Sequence, residues 1–218
     1  MAADAKTVME LRDRTGAGVM DCKAALQASD GDLGAAVEYL RKKGLADAKK
    51  REGRDAKEGV VGSYIHAGGK IGVLIEVNCE TDFVAKNPLF QDLVKDLSMQ
   101  VAATSPAYVS REDVPGDILE KERDIYRSQM ADQKKPAQVI DKIVEGKLEK
   151  FFAESCLLEQ PFVKNPDQTI GQLVQDKVAK IGENIQVRRF SRFKLGEGIE
   201  KKSGDLAAEV AATLSGQG

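Results

Sequence analysis

The chain has 218 residues, 42% of them hydrophobic and 31% charged, with 33 Lys and Arg against 35 Asp and Glu for a formal net charge of −2. That length suits one medium domain or two small ones, and the near-neutral balance argues against a whole-chain polybasic role on nucleic acid. Trp is absent and aromatics make up 5%, which argues against broad stacking platforms, while the single histidine, His66, cannot build a multi-His metal site.

The first segment reads as three short helices. Val8 and Leu11 mark the first, which stops at Thr15-Gly16-Ala17-Gly18, where Gly supplies a left-handed C-cap. The second runs from about Val19 to Ala28 with Val19, Cys22 and Leu26 on one side, and Ser29-Asp30-Gly31-Asp32 brings turn and N-cap chemistry. The third carries Leu33, Ala36, Val37 and Leu40 at amphipathic spacing and is expected to end at Gly44. Residues 41–57 then hold eight basic and three acidic residues. They read as a solvated linker helix, or alternatively as a patch for RNA or an acidic protein.

Val60–His66 and Ile71–Val77 flank Ala67-Gly68-Gly69-Lys70, a hairpin signal. Ile71, Val73, Ile75 and Val77 alternate and predict a buried face. The glycines look superficially like a phosphate loop, but their spacing is wrong and they sit between two strands. A helix follows Asn87-Pro88, with Phe90, Leu93, Val94, Leu97 and Val101 in helical register up to Ser105-Pro106. Residues 115–154 read as two helices around Lys134-Lys135-Pro136, an antiparallel hairpin whose second arm bears Ile140, Ile143, Val144, Leu148, Phe151 and Phe152. Thr169 caps another helix with Ile170, Leu173, Val174, Val178 and Ile181 on one face. Residues 184–195 read as a third strand, with Ile185, Val187, Phe193 and Leu195 on one side and Arg188, Arg192 and Lys194 on the other. A last helix is expected from Ser203 to Leu214, carrying Leu206, Val210 and Leu214.

The expected fold is therefore α+β. An N-terminal three-helix bundle (1–44) and a charged linker helix (45–58) precede a core domain (59–114 and 155–198). The core has a three-stranded antiparallel sheet with helices on one face, interrupted by a helical hairpin (115–154), and a C-terminal module (199–218) follows. Cys22, Cys79 and Cys156 are scattered, with no CxxC pair, and read as free thiols of a reducing compartment. No signal-peptide core and no apolar run near the ~20 residues of a membrane helix is visible, so a cytoplasmic protein without a membrane association is expected.

The most informative stretch is Asn78-Cys79-Glu80-Thr81-Asp82-Phe83-Val84-Ala85. It follows a buried strand, so the scaffold can hold it in place. Thr81 can cap a helix opening at Asp82, whose carboxylate suits the positive helix end. Spacing alone favours a structural cap with Phe83 tucked into the core. A second reading makes Cys79 a nucleophile with His66 as its base, though nothing local orients the pair.

Several blocks together carry a resemblance. LRDRTGAGVMDCKAAL at 11–26, GDLGAAVEYLRKKG at 31–44, NCETDFVAKNPLFQ at 78–91, EGKLEKFFAE at 145–154, QPFVKNP at 160–166, AKIGENIQVRRF at 179–190 and LGEGIEKK at 195–202 resemble, in order, the elongation factor Ts family over nearly the whole chain. The resemblance implies a guanine nucleotide exchange factor for elongation factor Tu, not an enzyme, with no cofactor or metal of its own. It implies a UBA-like N-terminal bundle that meets the GTPase through Arg12, Val19 and Met20. Met9 lies close by, where a basic residue is usual in the family. It further implies that Thr81, Asp82, Phe83 and Val84 act at the partner's nucleotide site and dislodge the Mg²⁺ that holds GDP. Direct nucleic-acid binding is not expected. Longer members carry two half-cores. This chain shows one GSYIHAGGKIGVLIEV hairpin and one AKIGENIQVRRF strand, so a homodimer is expected, with Ile185, Val187, Phe193 and Leu195 either in the core or at the interface. A UBA-type peptide binder resting on residues 7–44, and an RNA-associated protein using 41–57 and Arg188–Lys194, remain as alternatives.

Overall fold

The computed structural model describes residues 4–130 and 136–199. Three helices come first: α1 (Ala5–Thr15), α2 (Val19–Ala28) and α3 (Leu33–Arg51). Gly16, at φ 70°, ends α1 and donates its N–H to the Arg12 carbonyl, a left-handed cap that costs Gly little because it has no Cβ. The Asp32 side chain opens α3 by accepting from the Ala35 N–H at 2.7 Å. Val8, Leu11, Cys22, Ala25, Leu26 and Ala36 are buried together, with Leu33, Val37 and Leu40 packed around them. Val19 stays outside this cluster, 40% exposed, because it sits at the open N-terminal end of α2 rather than beside Cys22 and Leu26.

The third helix departs from the sequence expectation. It does not stop at Gly44 but continues to Arg51. A Cβ at Gly44 would lie 3.1 Å from the Cβ of Ala179, so this glycine serves the close crossing of α3 with a later helix rather than a chain reversal. Ala48 is buried in the main core. The stretch expected as a solvated linker is thus partly a packing helix, and its lysines lie on the outer side. There Lys42 pairs with Glu38, Lys43 with Asp21 and Lys50 with Asp47.

The main core is built on β1 (Glu58–Ile65) and β2 (Ile71–Cys79), then α4 (Asp82–Ala85), α5 (Pro88–Thr104), α6 (Gly116–Ser128), α7 (Ala137–Ser155), β3 (Pro161–Phe162), β4 (Asn165–Thr169), α8 (Ile170–Ile181) and β5 (Ile185–Lys194). The three-stranded sheet has the order β1-β2-β5, antiparallel throughout. Gly68 and Gly69, at φ 86° and 70°, make the hairpin turn, closed by the His66 N–H donating to the Ile71 carbonyl. Val73, Ile75, Val77 and Cys79 point from β2 into the core, against Phe90, Leu93, Val94, Leu97 and Val101 of α5 and Ile170, Val174 and Val178 of α8. Each such large side chain contributes roughly 1.5–3 kcal/mol by leaving water. Asn87 caps α5 and Thr169 caps α8 with a full capping box through Gln172, each satisfying otherwise orphaned N–H groups.

Strand β5 corrects the expected facing of its side chains. Glu76 stands opposite Arg189 while the next residue, Val77, stands opposite Val187, so Arg188 is an extra, bulged residue. The alternation therefore flips at Arg188. Ile185, Val187 and Phe190 belong with the core, whereas Phe193 and Leu195 point outward and are exposed. Arg192, expected on the polar side, turns instead toward the Ala102 carbonyl. The short ribbon β3–β4 was also unexpected, since residues 160–169 show no alternation and carry two prolines.

Helices α6 and α7 lie antiparallel, with Arg123 pairing to Glu145 and Arg127 to Asp141. Arg111 fixes the base of this hairpin. It bonds Glu159 at 2.6 Å and Glu149 at 3.1 Å and stacks over the Phe152 ring at 4.6 Å. Lys134 and Lys135 of the expected turn, and the helix expected over Ser203–Leu214 with Leu206 and Val210, lie outside the described residues. No helix among the described residues is long and apolar enough to cross a membrane.

The α3–α8 crossing yields a test. Gly44→Leu should force the helices apart and cost about 1–3 kcal/mol in urea unfolding. Gly53→Ala, where a Cβ would meet nothing within 4 Å, should stay within about 0.5 kcal/mol of the parent.

Candidate functional site

The turn after β2 shows how a short, exposed helix is held rigid. Thr81 is its N-cap, with its hydroxyl oxygen accepting from the Val84 N–H at 3.4 Å. Val84 and Ala85 are buried in the main core and pin the underside of α4. The Asn87 N–H donates to the Val84 carbonyl at 2.9 Å and joins the helix directly to the cap of α5. From this platform two side chains project. Asp82 is exposed and paired with Lys86 at 2.9 Å. Phe83 is 81% exposed, which overturns the core position that spacing alone favoured. The cap expected at Thr81 is present; it directs the aromatic ring outward, because the inward side of α4 is taken by the adjacent Val84 and Ala85.

The exposed carboxylate has a cation beside it. The Lys86 ammonium beside Asp82 holds its carboxyl below the usual carboxylate range, by hydrogen bond first and charge second. The Cys79 thiol behaves in the opposite way. Burial, and then the nearby Glu183 carboxylate, push it up to about 11. It is protonated at neutral pH and donates to the Thr81 carbonyl at 3.1 Å. The Cys79–His66 pair considered from sequence does not form. Glu58 stands opposite Cys79 at one end of the hairpin and His66 closes the other, roughly 25 Å away at about 3.3 Å per strand residue. His66 Nδ1 instead lies 3.1 Å from the Tyr64 hydroxyl. Among the described residues, no group of three or more His, Cys, Asp or Glu is arranged to hold a metal ion.

A second surface lies on the N-terminal bundle. Arg12 and Met9, three residues apart on α1, are both exposed, and so are Val19 and Met20 at the start of α2, with Met20 75% exposed. Of the expected contact residues, then, Arg12, Val19, Met20, Asp82 and Phe83 face solvent, Thr81 is half-buried as a cap, and Val84 is an internal anchor.

Sequence reading passed over the turn that leads into β5. Glu183 accepts from both the N–H of Thr81, at 3.0 Å, and its hydroxyl, at 2.7 Å. The Asn184 N–H donates to Glu80 at 2.6 Å, and the Asn184 side chain donates to the Arg54 carbonyl at 2.7 Å. Only one signal could have found them. A third strand pairing antiparallel with β2 must begin where β2 ends, which places residues 182–184 beside 80–82.

The basic residues that suggested an RNA patch are largely engaged. Besides the three pairs on α3, Lys57 pairs with Asp55, and Arg188 and Arg189 both bind Glu76.

Comparison with known proteins agrees across the length of the chain. The family described as Elongation factor TS matches residues 46–197. Elongation factor Ts of Carboxydothermus hydrogenoformans is 61% identical over 207 residues, 95% of either chain. That of Geobacter sulfurreducens is 61% identical over 212 residues, 97% of this chain and 98% of the relative. That of Heliobacterium modesticaldum is 57% identical over 211 residues, again 97% and 98%.

Burial separates two phenylalanines of the site. Phe83→Ala should change the unfolding free energy by less than about 0.5 kcal/mol. Phe90→Ala, which empties a fully buried position, should cost about 3–5 kcal/mol, both read from urea denaturation curves.

Proposed function

The chain belongs to the elongation factor Ts family and is a translation elongation factor acting as a nucleotide exchange factor for elongation factor Tu; we propose that the helix opening at Asp82 is the part that loosens the nucleotide. The observation that carries this reading is Phe83, a large aromatic held 81% exposed on a turn that is capped and anchored on every other side. It contributes almost nothing to this chain's own core, so its use lies in a partner.

On this reading Phe83 enters between packed elements of the GTPase near its metal-binding segment. Packed elements shift between discrete arrangements rather than deforming smoothly, so a wedge of this size suffices to select one of them. Mg²⁺ bridging phosphate oxygens neutralises several negative charges, and its loss weakens the hold on GDP. Asp82, ionised at neutral pH and paired with Lys86, brings a carboxylate to that region as the metal leaves. Thr81 and Val84 serve the same event from beneath, as cap and anchor. Arg12, Val19 and Met20, with Met9 beside them, form the second contact, on a bundle of residues 1–44 that we read as UBA-like and that the rest of α3 joins to the core domain. Exchange requires no acid, base or nucleophile from this chain, and nucleotide and factor weaken each other's binding equally. The factor acts in the cytoplasm, without a cofactor and without contacting nucleic acid directly.

We also propose a homodimer across the open face of the sheet. One face is covered by α5 and α8. The other presents Val61, Ile65, Leu74 and Phe193, with Leu195 at its end, all exposed. The row Ile65–Gly72–Phe193 and the neighbouring Leu74 gather apolar side chains at one end of this face, while Val61 shares its row with Glu76 and Arg189, and an exposed apolar patch favours association. A second copy offers the same face about a two-fold axis and so matches it in chemistry.

Two measurements check these readings. Phe83→Ala and Asp82→Ala should stay folded yet slow factor-stimulated release of labelled GDP from elongation factor Tu, and chelating Mg²⁺ should narrow the gap to the parent. A folded Phe83→Ala variant exchanging at the parent rate would remove the wedge. Light scattering at micromolar concentration should report about twice 23.6 kDa, and Phe193→Lys should shift it toward the monomer.

A further inference from the structure

The working turn is held from outside its own segment, and the hold comes from a residue 102 positions away. The Glu183 carboxylate uses one oxygen for the Thr81 N–H and the other for the Thr81 hydroxyl. Both acceptor atoms are thus committed to one residue, the N-cap of α4. The two bonds fix the Thr81 backbone and also its hydroxyl rotor. With its O–H donated to Glu183, the Thr81 oxygen is left to accept from the Val84 N–H, which is the bond that caps α4. Hydrogen bonds to a charged acceptor are the strong ones.

The neighbouring residue braces the same turn on its other side. Asn184, 2% exposed, donates its N–H to Glu80 at 2.6 Å and its side-chain amide to the Arg54 carbonyl at 2.7 Å. Glu80 in turn lies 3.6 Å from Arg54. Gly182, at φ 87°, ends α8 and lets the chain reverse so that both residues face the end of β2. The turn before β5 therefore grips residues 80 and 81 directly, and its other hold is on the segment that arrives from α3.

We infer that Glu183 is a positioning residue for nucleotide exchange, setting the angle at which Phe83 is presented to the GTPase. This rests on the reading of Phe83 as the wedge. Without Glu183 the Thr81 N–H loses its protein acceptor, the hydroxyl is free to rotate off the cap, and α4 samples orientations in which Phe83 no longer meets its target. Affinity for the partner through Arg12, Val19 and Met20 is untouched, because Glu183 makes no contact with them.

The test is stopped-flow release of a fluorescent GDP from elongation factor Tu with the full chain, titrating the factor to obtain both the half-saturating concentration and the maximal rate. Glu183→Ala should lower the maximal rate about tenfold, the population ratio expected for losing charge-assisted bonds of this kind, while leaving the half-saturating concentration within about twofold of the parent's. Glu183→Gln, which keeps the shape and one accepting oxygen, should lose less. In a Phe83→Ala background, Glu183→Ala should cost less than about twofold more, since a residue acting only through the ring has nothing left to position. Should Glu183→Ala melt below the assay temperature, Glu183→Gln carries the same comparisons. A parent-like maximal rate for both Glu183 variants, with Phe83→Ala slow, overturns the inference and leaves the wedge standing. Losses that multiply fully in the double variant overturn it as well, because Glu183 would then act elsewhere. Phe83→Ala at the parent rate overturns the wedge itself, and the role of Glu183 with it.

Discussion

The structure depends on β2 being the central strand, paired antiparallel with β1 on one side and β5 on the other. Its inward residues, from Val73 to Cys79, are fully buried between the two helices that cover the sheet, so the strand cannot slip by one residue without turning its apolar set outward. Pairing Cys79 with Ile185 then has a geometric result. The segment leaving β2 and the segment entering β5 must run side by side, although about a hundred residues of helix and ribbon separate them in the chain. Thr81 meets Glu183, and Glu80 meets Asn184, because the register brings them together.

That constraint also explains what could be read from the sequence and what could not. Helices α1, α2, α5 and α8 were legible because each is an amphipathic run with its own punctuation: Gly16, Ser29-Asp30-Gly31-Asp32, Asn87-Pro88, Thr169. The hairpin was legible because alternation in β2 is flanked by Gly68-Gly69. These are local signals, decided by residues a few positions apart. Gly44 was misread because glycine ends helices and also admits close helix crossings, and only the position of Ala179 on α8 distinguishes the two. The outer half of β5 was misread because a bulge is invisible to simple alternation. One unpaired residue, Arg188, inverts every side chain after it, and two adjacent arginines give no warning of which is extra.

The site divides along the same line. The cap at Thr81 is a local feature and was readable from its spacing. The exposure of Phe83 is not local. It follows from Val84 and Ala85 filling the space under α4, and from Thr81 being drawn toward α8 by Glu183. On spacing alone an aromatic two residues past a cap is as good a core residue as Phe90; the family resemblance pointed Phe83 to a partner, and burial, 81% exposed against 0%, separates the two.

Rigidity at this position has a thermodynamic reason on the proposed mechanism. Because nucleotide and factor oppose each other's binding by the same free energy, whatever loosens GDP must come from contacts that the factor makes better with the nucleotide-free partner. A flexible turn would lose part of that difference in two ways. It would first have to be ordered, at a cost for each side chain fixed, and it would then yield to the GTPase instead of shifting it. A four-residue helix is too short to be stable alone. Here it is capped by Thr81, floored by Val84 and Ala85, joined to α5 through Asn87 and tied to the end of α8 through Glu183. The ordering cost is thereby met when this chain folds, and the exposed ring reaches its partner already in place.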